Sequence, residues 1–451
     1  MMRKIVLACI LLLALHPAVH AQTIIHKDPV IEKLAAEVNA DSLRSYILKL
    51  VSFGTRSTLS STTHPTRGIG ASREWVVAKF REFAAQSNGR MTVHLDRWTL
   101  QPDRRRIDTP IDMGNPMAWL KGSDPNDNRI FVISGHLDSR ASDVMNRTID
   151  APGANDDGSG VAAVMECARI LSRQSFPATI LFVALSGEEQ GLFGAEHLAD
   201  SARKSNWNIE AVLNNDIMGS NNSSETNIID NTRVRVFSEG LPFFELDKKA
   251  TSIRNLGQEN DGNARQLARY VKEIGERYVA HLEVVMVYRN DRFLRGGDHT
   301  AFVQKGFTAV RITEMNEQFE HQHQDVRKEK GIQYGDLPEF MDFEYLRKNT
   351  ALNLACLANL AKSPGMPQDV KIEVRGLSNS TSLSWKAPAA GKPQGYYVLV
   401  RETYQPFWQK KFFTTQTSLR LPYSKDHYFF AVQSVSQDGN ESLPVIPTPG
   451  R

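Results

Sequence analysis

The sequence of 451 residues has only three cysteines, Cys9, Cys167 and Cys356. They are too few for a disulfide framework, so the fold must depend on a hydrophobic core or on bound metals. The 54 Lys and Arg nearly balance the 51 Asp and Glu, no long block of one charge occurs, and the run Arg104 to Arg106 predicts a solvated turn. A nucleic-acid-binding face, which needs clustered basic residues, is therefore not expected. The length predicts about two or three globular domains.

One long apolar run is present, at the N-terminus. Arg3 and Lys4 precede the run Ile5–Leu15, and Val19-His20-Ala21 ends the segment with small residues before Gln22. This order is typical of a secretory signal peptide covering residues 1–21. The run is too short to span a bilayer. We therefore expect an exported protein, periplasmic or extracellular, with no stable membrane insertion after the signal is removed.

The region 22–361 is predicted to form one α/β domain. Short continuous apolar runs, such as Ile130–Ile133, Ile180–Leu185 and Thr308–Ile312, alternate there with helical patterns. Continuous apolar strands separated by helices are typical of a mostly parallel mixed sheet that is covered by helices on both faces. Ligands of such sheets bind beyond the carboxyl ends of the strands. We therefore expect the functional residues at that edge.

After a Pro- and Gly-containing linker at residues 362–368, the helical period gives way to alternating strands. Residues 369–451 therefore predict a small all-β sandwich. This stretch resembles a fibronectin type III domain through Leu-Ser-Trp at 383–385, Gly-Tyr-x-Val-x-Val-Arg at 395–401 and Tyr-x-Phe-x-Val-x-Ser-Val at 428–435. Such a module would contact a surface or matrix, although the alternation of its aromatic residues favours a packing role.

Five short polar segments offer metal-ligand chemistry. They are Ser-Gly-His-Leu-Asp at 134–138, Gly-Ala-Asn-Asp-Asp-Gly-Ser-Gly at 153–160, Ser-Gly-Glu-Glu-Gln-Gly at 186–191, Asn-Asn-Asp at 214–216 and Glu-His-Gln-His-Gln-Asp at 320–325. Each one alone is more often a satisfied pair, a turn, a helix cap or a solvated first turn of a helix. Carboxylates gathered at one sheet edge, however, raise one another's pKa unless cations lie among them. A mixed set of His and carboxylate ligands fits zinc best.

The order of these motifs over residues 35 to 360 resembles the M28 family of co-catalytic zinc metallopeptidases, of the secreted bacterial aminopeptidase type. The resemblance implies a zinc exopeptidase fold, two Zn²⁺ per chain and peptide substrates with a free N-terminus. By position, Asp156 would bridge the two ions. His136 and Asp216 would complete one site, and Glu189 and His321 would complete the other.

The resemblance also implies roles beside the ligands. Glu188 would be the general base, Asp138 would be the partner that orients His136, and the peptide bond from Asp156 to Asp157 would be cis. His321 is preferred over His323 because it stands four residues before Asp325, as the family's ligand stands before its aspartate.

Four further residues are candidates for the substrate pocket: Arg295, Asp298, His299 and Arg311. The segment Gly297-Asp298-His299-Thr300 resembles a family segment that lines this pocket, and a structural loop histidine is the alternative for His299. Where the family's aminopeptidases have a disulfide-framed apolar pocket, residues 288–297 contain three arginines and no cysteine. An arginine such as Arg292, Arg295 or Arg311 would then meet a substrate carboxylate, or else it forms an ordinary ion pair.

The leading hypothesis is an exported zinc aminopeptidase. Its alternatives are a glutaminyl cyclase, a carboxypeptidase or dipeptidase of the same clan, and a non-catalytic adhesion or binding protein. A cyclase typically works with one zinc, so an intact second position at His136 favours hydrolysis. An inert relative would usually have lost Glu188 or a ligand, and the sequence retains all of them.

Overall fold

A computed structural model describes residues 26–450 of the chain, so the predicted signal peptide 1–21 lies outside the described residues. The helices are α1 (Pro29–Ala36), α2 (Ala40–Val51), α3 (Gly68–Ala84), α4 (Gly158–Leu171), α5 (Glu188–Gly191), α6 (Phe193–Lys204), α7 (Leu246–Leu256), α8 (Asn263–Tyr278), α9 (Asp298–Gln304) and α10 (Phe343–Lys362). The strands of the main sheet are β1 (Met91–Leu100), β2 (Ile111–Leu120), β3 (Arg129–His136), β4 (Thr179–Leu185), β5 (Asn208–Asn215), β6 (Arg233–Phe237), β7 (Glu283–Val287) and β8 (Ala309–Glu314). A small hairpin follows, made of β9 (Arg327–Glu329) and β10 (Ile332–Tyr334).

The main sheet has the strand order β1-β2-β4-β3-β5-β8-β6-β7. Its centre, β4-β3-β5-β8, is parallel, whereas β2 joins β4 and β6 joins β8 in antiparallel pairs. The predicted mostly parallel mixed sheet is therefore confirmed.

The continuous apolar run of β3 is explained by burial on both faces of the sheet. Phe131 and Ile133 pack in one hydrophobic cluster with α4 and α10, while Ile130 and Val132 pack in a second with α6 and α9. Successive side chains of a strand point to opposite faces, so a strand between two layers of helices must be apolar at every position.

A close approach of α4 to β3 sets the position of the polar loops. A Cβ on Gly135 would lie 2.6 Å from the backbone of Gly160, so a larger residue at position 135 does not fit. The first turn of α4 therefore lies directly over the carboxyl ends of β3 and β5. The loop that precedes α4 is brought to the same edge of the sheet.

The C-terminal region forms two small sheets. One has the order β15-β12-β11-β17 and the other β14-β13-β16. Their strands are β11 (Gln368–Glu373), β12 (Thr381–Lys386), β13 (Gly395–Glu402), β14 (Lys410–Thr414), β15 (Ser418–Leu421), β16 (Tyr428–Val435) and β17 (Thr448–Gly450). They share a core that includes Trp385, Tyr396 and Val432. The aromatic residues thus pack inside the predicted sandwich, whereas its resemblance to fibronectin type III remains a prediction.

Buried ion pairs attach these sheets to α8. Asp261 is paired with Arg269 at 2.9 Å and with Arg401 of β13 at 2.5 Å, and all three side chains are buried. Glu441 is paired with Arg277 at 3.0 Å. The C-terminal sheets are therefore fixed against the larger domain. Across residues 26–450, no helix combines the length and the apolar character that a membrane crossing requires.

Candidate metal centre

The predicted ligands converge at the carboxyl edge of the main sheet. His136 is the last residue of β3, Asp216 follows β5, and Glu189 lies on the short helix α5 that follows β4. Asp156 lies in the loop before α4. Because β3, β4 and β5 are parallel neighbours, their carboxyl ends meet at one place.

Two groups of donor atoms meet there and share one aspartate. The first group has His136 Nε2 at 3.1 Å from Asp156 Oδ1 and at 3.8 Å from Asp216 Oδ1. The second has His323 Nε2 at 2.9 Å from Asp156 Oδ2 and at 3.0 Å from Glu189 Oε1. Asp156 thus presents one carboxylate oxygen to each group.

The histidine of the second group is His323, and the predicted ligand His321 lies outside that group. The His321 ring is stacked on Phe340, with ring centres 3.6 Å apart and an angle of 10° between the planes. The segment forms a tight turn in which the N–H groups of His321 and Gln322 both donate to the carbonyl of Gln318. The spacing to Asp325 was misleading because such an irregular turn, and not a regular period, decides which ring faces the carboxylates.

The donor set fits a pair of zinc ions. Imidazole and carboxylate are ordinary zinc ligands. Glu189 Oε1 is buried and makes no hydrogen bond, although His323 Nε2 lies 3.0 Å away. The two atoms are therefore arranged to meet a third atom between them and not to bind each other.

The electrostatics of the site favour positive charge. Although burial opposes it, the carboxylates of Glu189 and Asp156 raise the pKa of His323 to about 10. Likewise, against the effect of burial, His323 and His136 hold the pKa of Asp156 well below its usual range. Divalent cations among these groups satisfy the same demand without a second proton on either ring.

Asp138 orients both His136 and the turn that carries Glu188. His136 Nδ1 lies 3.0 Å from the backbone carbonyl of Asp138 and 3.7 Å from its carboxylate, so the carbonyl is the closer partner. The carboxylate accepts hydrogen bonds from the backbone N–H of Gly187, Glu188 and Glu189 at 2.9, 3.1 and 3.1 Å. A proton on Nδ1 leaves Nε2 free to bind a metal.

Asp157 ties the loop before α4 to two strands. The peptide bond between Asp156 and Asp157 is cis, as the family resemblance implied. One carboxylate oxygen of Asp157 accepts from the N–H of His136 at 2.9 Å, and the other accepts from Gly160 and Ile217 at 2.9 and 3.2 Å. Asp157 therefore acts as the N-terminal cap of α4 and holds the backbone of a ligand at the same time.

Glu188 differs from its neighbours because it is partly exposed, whereas Glu189 and Asp138 are buried. Its N–H is held by Asp138 while its carboxylate makes no hydrogen bond that the structure of residues 26–450 records. Burial together with the nearby Glu189 raises its pKa well above the usual range, against the opposing effect of His136. A carboxylate with a raised pKa is a stronger base, and cations at the donor groups would lower that pKa and favour the ionised form that accepts a proton.

The candidate pocket residues lie in different environments. Arg311 is buried and is paired with Asp216 at 3.1 Å and with Asp291 at 3.1 Å, so it supports a metal-site carboxylate from behind. Asp298 is buried with both carboxylate oxygens free of hydrogen bonds, and burial raises its pKa to about 8. His299 is also buried and contacts the carbonyl of Asn290 at 2.8 Å. Arg295 is exposed.

Four residues that the sequence did not single out also contact the site. Arg106 donates from Nη1 to the carbonyl of Glu189 at 2.6 Å, so one of the three arginines in the predicted solvated turn reaches a ligand. Thr58 donates to the carboxylate of Asp138 at 2.9 Å. Arg56 and Asp336 hold the loop that carries Asp156. No spacing rule connects these distant positions to the motifs.

Comparisons with known proteins agree with this geometry. Residues 115–342 match the family model described as peptidase family M28. A probable zinc metalloprotease of Leptosphaeria maculans is 43% identical over 421 residues, which are 93% of this chain and 97% of that protein. The chain belongs to peptidase family M28. As an M28 zinc metallopeptidase it is also 44% identical to a probable zinc metalloprotease of Pyricularia oryzae, over 94% of this chain and 85% of that protein.

The fold of this M28 peptidase is similar to that of solved bacterial enzymes. The LapA aminopeptidase of Legionella pneumophila matches with a TM-score of 0.54 at 19% identity, over 75% of this chain and 77% of that chain. An aminopeptidase from Aneurinibacillus sp. strain AM-1 matches with a TM-score of 0.52 at 13% identity, over 74% of this chain and 96% of that chain. At such identities the likeness shows the fold alone. The relatives that are similar in sequence are fungal zinc metalloproteases, which corrects the bacterial type suggested by the motifs.

Proposed function

We propose that this M28 peptidase is an exported aminopeptidase that removes N-terminal residues from peptides with two zinc ions and Glu188 as general base. The observation that carries the proposal is the pair of donor groups that share Asp156. His136, Asp156 and Asp216 would hold one ion, and Asp156, Glu189 and His323 the other. When bound, the two zinc ions supply a Lewis acid for the scissile carbonyl and lower the pKa of the attacking water.

The protein's own groups position and move the proton. Glu188 is partly exposed and precedes Glu189 of the second donor group, and Asp138 holds its backbone N–H. It takes the proton of the attacking water and passes it to the leaving amine. Arg311 keeps Asp216 ionised and oriented because it pairs with that carboxylate from the buried side.

Two observations support cleavage at the N-terminus of peptide substrates: the charge of the site and the similarity of the fold to solved aminopeptidases. A free α-amine is a cation at neutral pH, and this site concentrates carboxylates at one sheet edge. Two structural neighbours are described as aminopeptidases. Both donor groups are complete, which favours a two-ion hydrolase over a glutaminyl cyclase with one zinc.

The remaining parts of the proposal concern location. Residues 1–21 are proposed as a signal peptide that directs export of the enzyme to a periplasmic or extracellular location. The C-terminal sheets are proposed to be a fibronectin type III-like module that contacts a surface or matrix.

The test is mass spectrometry of a mixed peptide set incubated with the purified chain, with and without a strong chelator. Stepwise loss of first residues that stops with chelator and with Glu188→Gln supports the aminopeptidase. Loss of ammonia from peptides that begin with Gln would indicate a cyclase, and trimming from the other end a carboxypeptidase. Unchanged peptides would overturn the catalytic proposal.

A further inference from the structure

The loop that carries the shared Asp156 is held by a buried arginine on one side. Arg56 is only 1% exposed, and it comes from the segment between α2 and α3. Its guanidinium donates to three backbone carbonyls, those of Leu137 at 2.8 Å, Gly153 at 2.8 Å and Pro152. Two of these acceptors precede Asp156 in its loop, and the third follows His136. One side chain therefore joins the loops of two ligands.

The same loop is held on its other side by a buried aspartate. Asp336, which follows β10, accepts from the backbone N–H of Asn155 at 2.9 Å and of Asp156 at 2.7 Å. Its own carbonyl accepts from the N–H of Ala154 at 3.2 Å. The contact joins positions 180 residues apart in the chain. Asp336 is thus bonded to the ligand's own peptide group.

The loop is closely packed at Gly153. Gly153 has φ +55, and a Cβ there would lie 2.5 Å from Ser139 Cβ, 2.6 Å from the carbonyl of Asp156 and 2.9 Å from Arg56 Nη2. The carbonyls of this loop face the guanidinium of Arg56, and its N–H groups face the carboxylate of Asp336. Charged partners make stronger hydrogen bonds than neutral ones, so the two side chains dominate the position of this loop.

We propose that Arg56 and Asp336 form a clamp of positioning residues that sets the Asp156 carboxylate and thereby controls the affinity of both zinc ions together. The inference rests on the two-ion site proposed above. Asp156 offers one oxygen to each donor group, so a displaced loop weakens both. Arg311, by contrast, supports only the first donor group, through Asp216. Joint weakening of both ions therefore distinguishes the clamp from a residue such as Arg311.

The experiment is a Zn²⁺ titration of the metal-free full chain, by calorimetry and by metal analysis after dialysis. Arg56→Lys keeps the charge and removes the fork that reaches three carbonyls. Asp336→Asn keeps the shape and places an amide donor opposite a backbone N–H. We expect each variant to bind both ions about 10–100-fold more weakly, the range typical of groups that orient ligands.

Two controls make the result specific. Arg129 is a matched buried arginine that donates to the carbonyls of Ser363 and Pro364 at 2.7 and 3.2 Å. It lies at the first residue of β3, roughly 23 Å along the strand from His136. Arg129→Lys should lower the thermal midpoint and leave both zinc affinities unchanged. Arg311→Lys should weaken one ion and spare the other.

Each outcome bears on the clamp. Wild-type affinity for both ions in folded Arg56→Lys and Asp336→Asn would overturn it, as would weakening of a single ion. Should one variant fail to fold in circular dichroism, the other decides. A wild-type chain that binds only one ion would refute the two-ion site and not the clamp. In that case the clamp still predicts that both variants bind the single ion more weakly than the wild type.

Discussion

The carboxylate of Asp138 accepts a hydrogen bond from the backbone N–H of Glu188 at 3.1 Å, so the residue two positions after the ligand His136 also holds the proposed general base. The backbone carbonyl of Asp138 meanwhile faces His136 Nδ1 at 3.0 Å. One residue thereby couples the orientation of a ligand to that of the base.

Asp138→Asn should reduce kcat about 10–100-fold because an amide group cannot accept hydrogen bonds from three neighbouring N–H groups. KM should change much less, since Asp138 is buried and its carboxylate bonds to Thr58 and to backbone N–H groups. Steady-state kinetics on one peptide measure both values. Asp143→Asn, on an exposed loop, is the control. A rise in KM at constant kcat would contradict the role given to Asp138.

His323→Ala should lower the zinc content to about one ion per chain, because it leaves the second donor group with two carboxylates alone. His321→Ala should retain two ions and lose only the stacking on Phe340. Metal analysis of the two dialysed proteins compares them directly. The opposite pattern would restore His321 as the ligand.

Arg106→Ala should lower kcat/KM about 10-fold, because the Glu189 carbonyl loses a charged donor at 2.6 Å. Arg105→Ala is the matched control, since its side chain is exposed in the same loop. Both variants are compared on one neutral peptide at two salt concentrations. Equal losses in both variants would indicate a general effect of the loop's charge and not the contact with Glu189.

Arg401→Ala should destabilise the chain by about 3 kcal/mol, because Asp261 loses one of its two buried partners. Urea unfolding followed by tryptophan fluorescence measures the change. Lys386→Ala, which breaks an exposed pair with Asp369 in the same region, should have no measurable effect. Equal midpoints for Arg401→Ala and the wild type would show that the C-terminal sheets are not fixed through this pair.

Glu210→Gln should make the chain more stable at pH 8 than the wild type and equally stable below pH 4. Burial raises the pKa of Glu210 from 4.5 to about 7, despite the opposing charge of Arg129. Between pH 4.5 and 7 the unfolded carboxyl is already ionised while the folded one still holds its proton, so wild-type stability falls as the pH rises. The shift corresponds to at most about 3 kcal/mol. Unfolding curves for both proteins that keep a constant difference from pH 4 to pH 8 would refute this assignment.

Three of the motifs that carry the ligands were readable in the sequence because His136, Glu189 and Asp216 lie at or just after the ends of buried strands. A parallel sheet brings the carboxyl ends of β3 and β5 together, so His136 and Asp216 had to lie near each other. The layered α/β fold followed from the same apolar runs, because only strands buried on both faces lack polar alternation.

The tertiary structure alone decided which histidine completes the second donor group and which groups support the site. His321 and His323 lie in an irregular turn, where side-chain direction depends on hydrogen bonds to Gln318 and on stacking against Phe340, not on a repeat. Arg56 and Asp336 belong to segments far from the motifs in sequence and meet them only after folding. The local sequence determines which side chain lies at the end of a strand. Contacts between segments that are distant in sequence determine which groups hold that side chain in place.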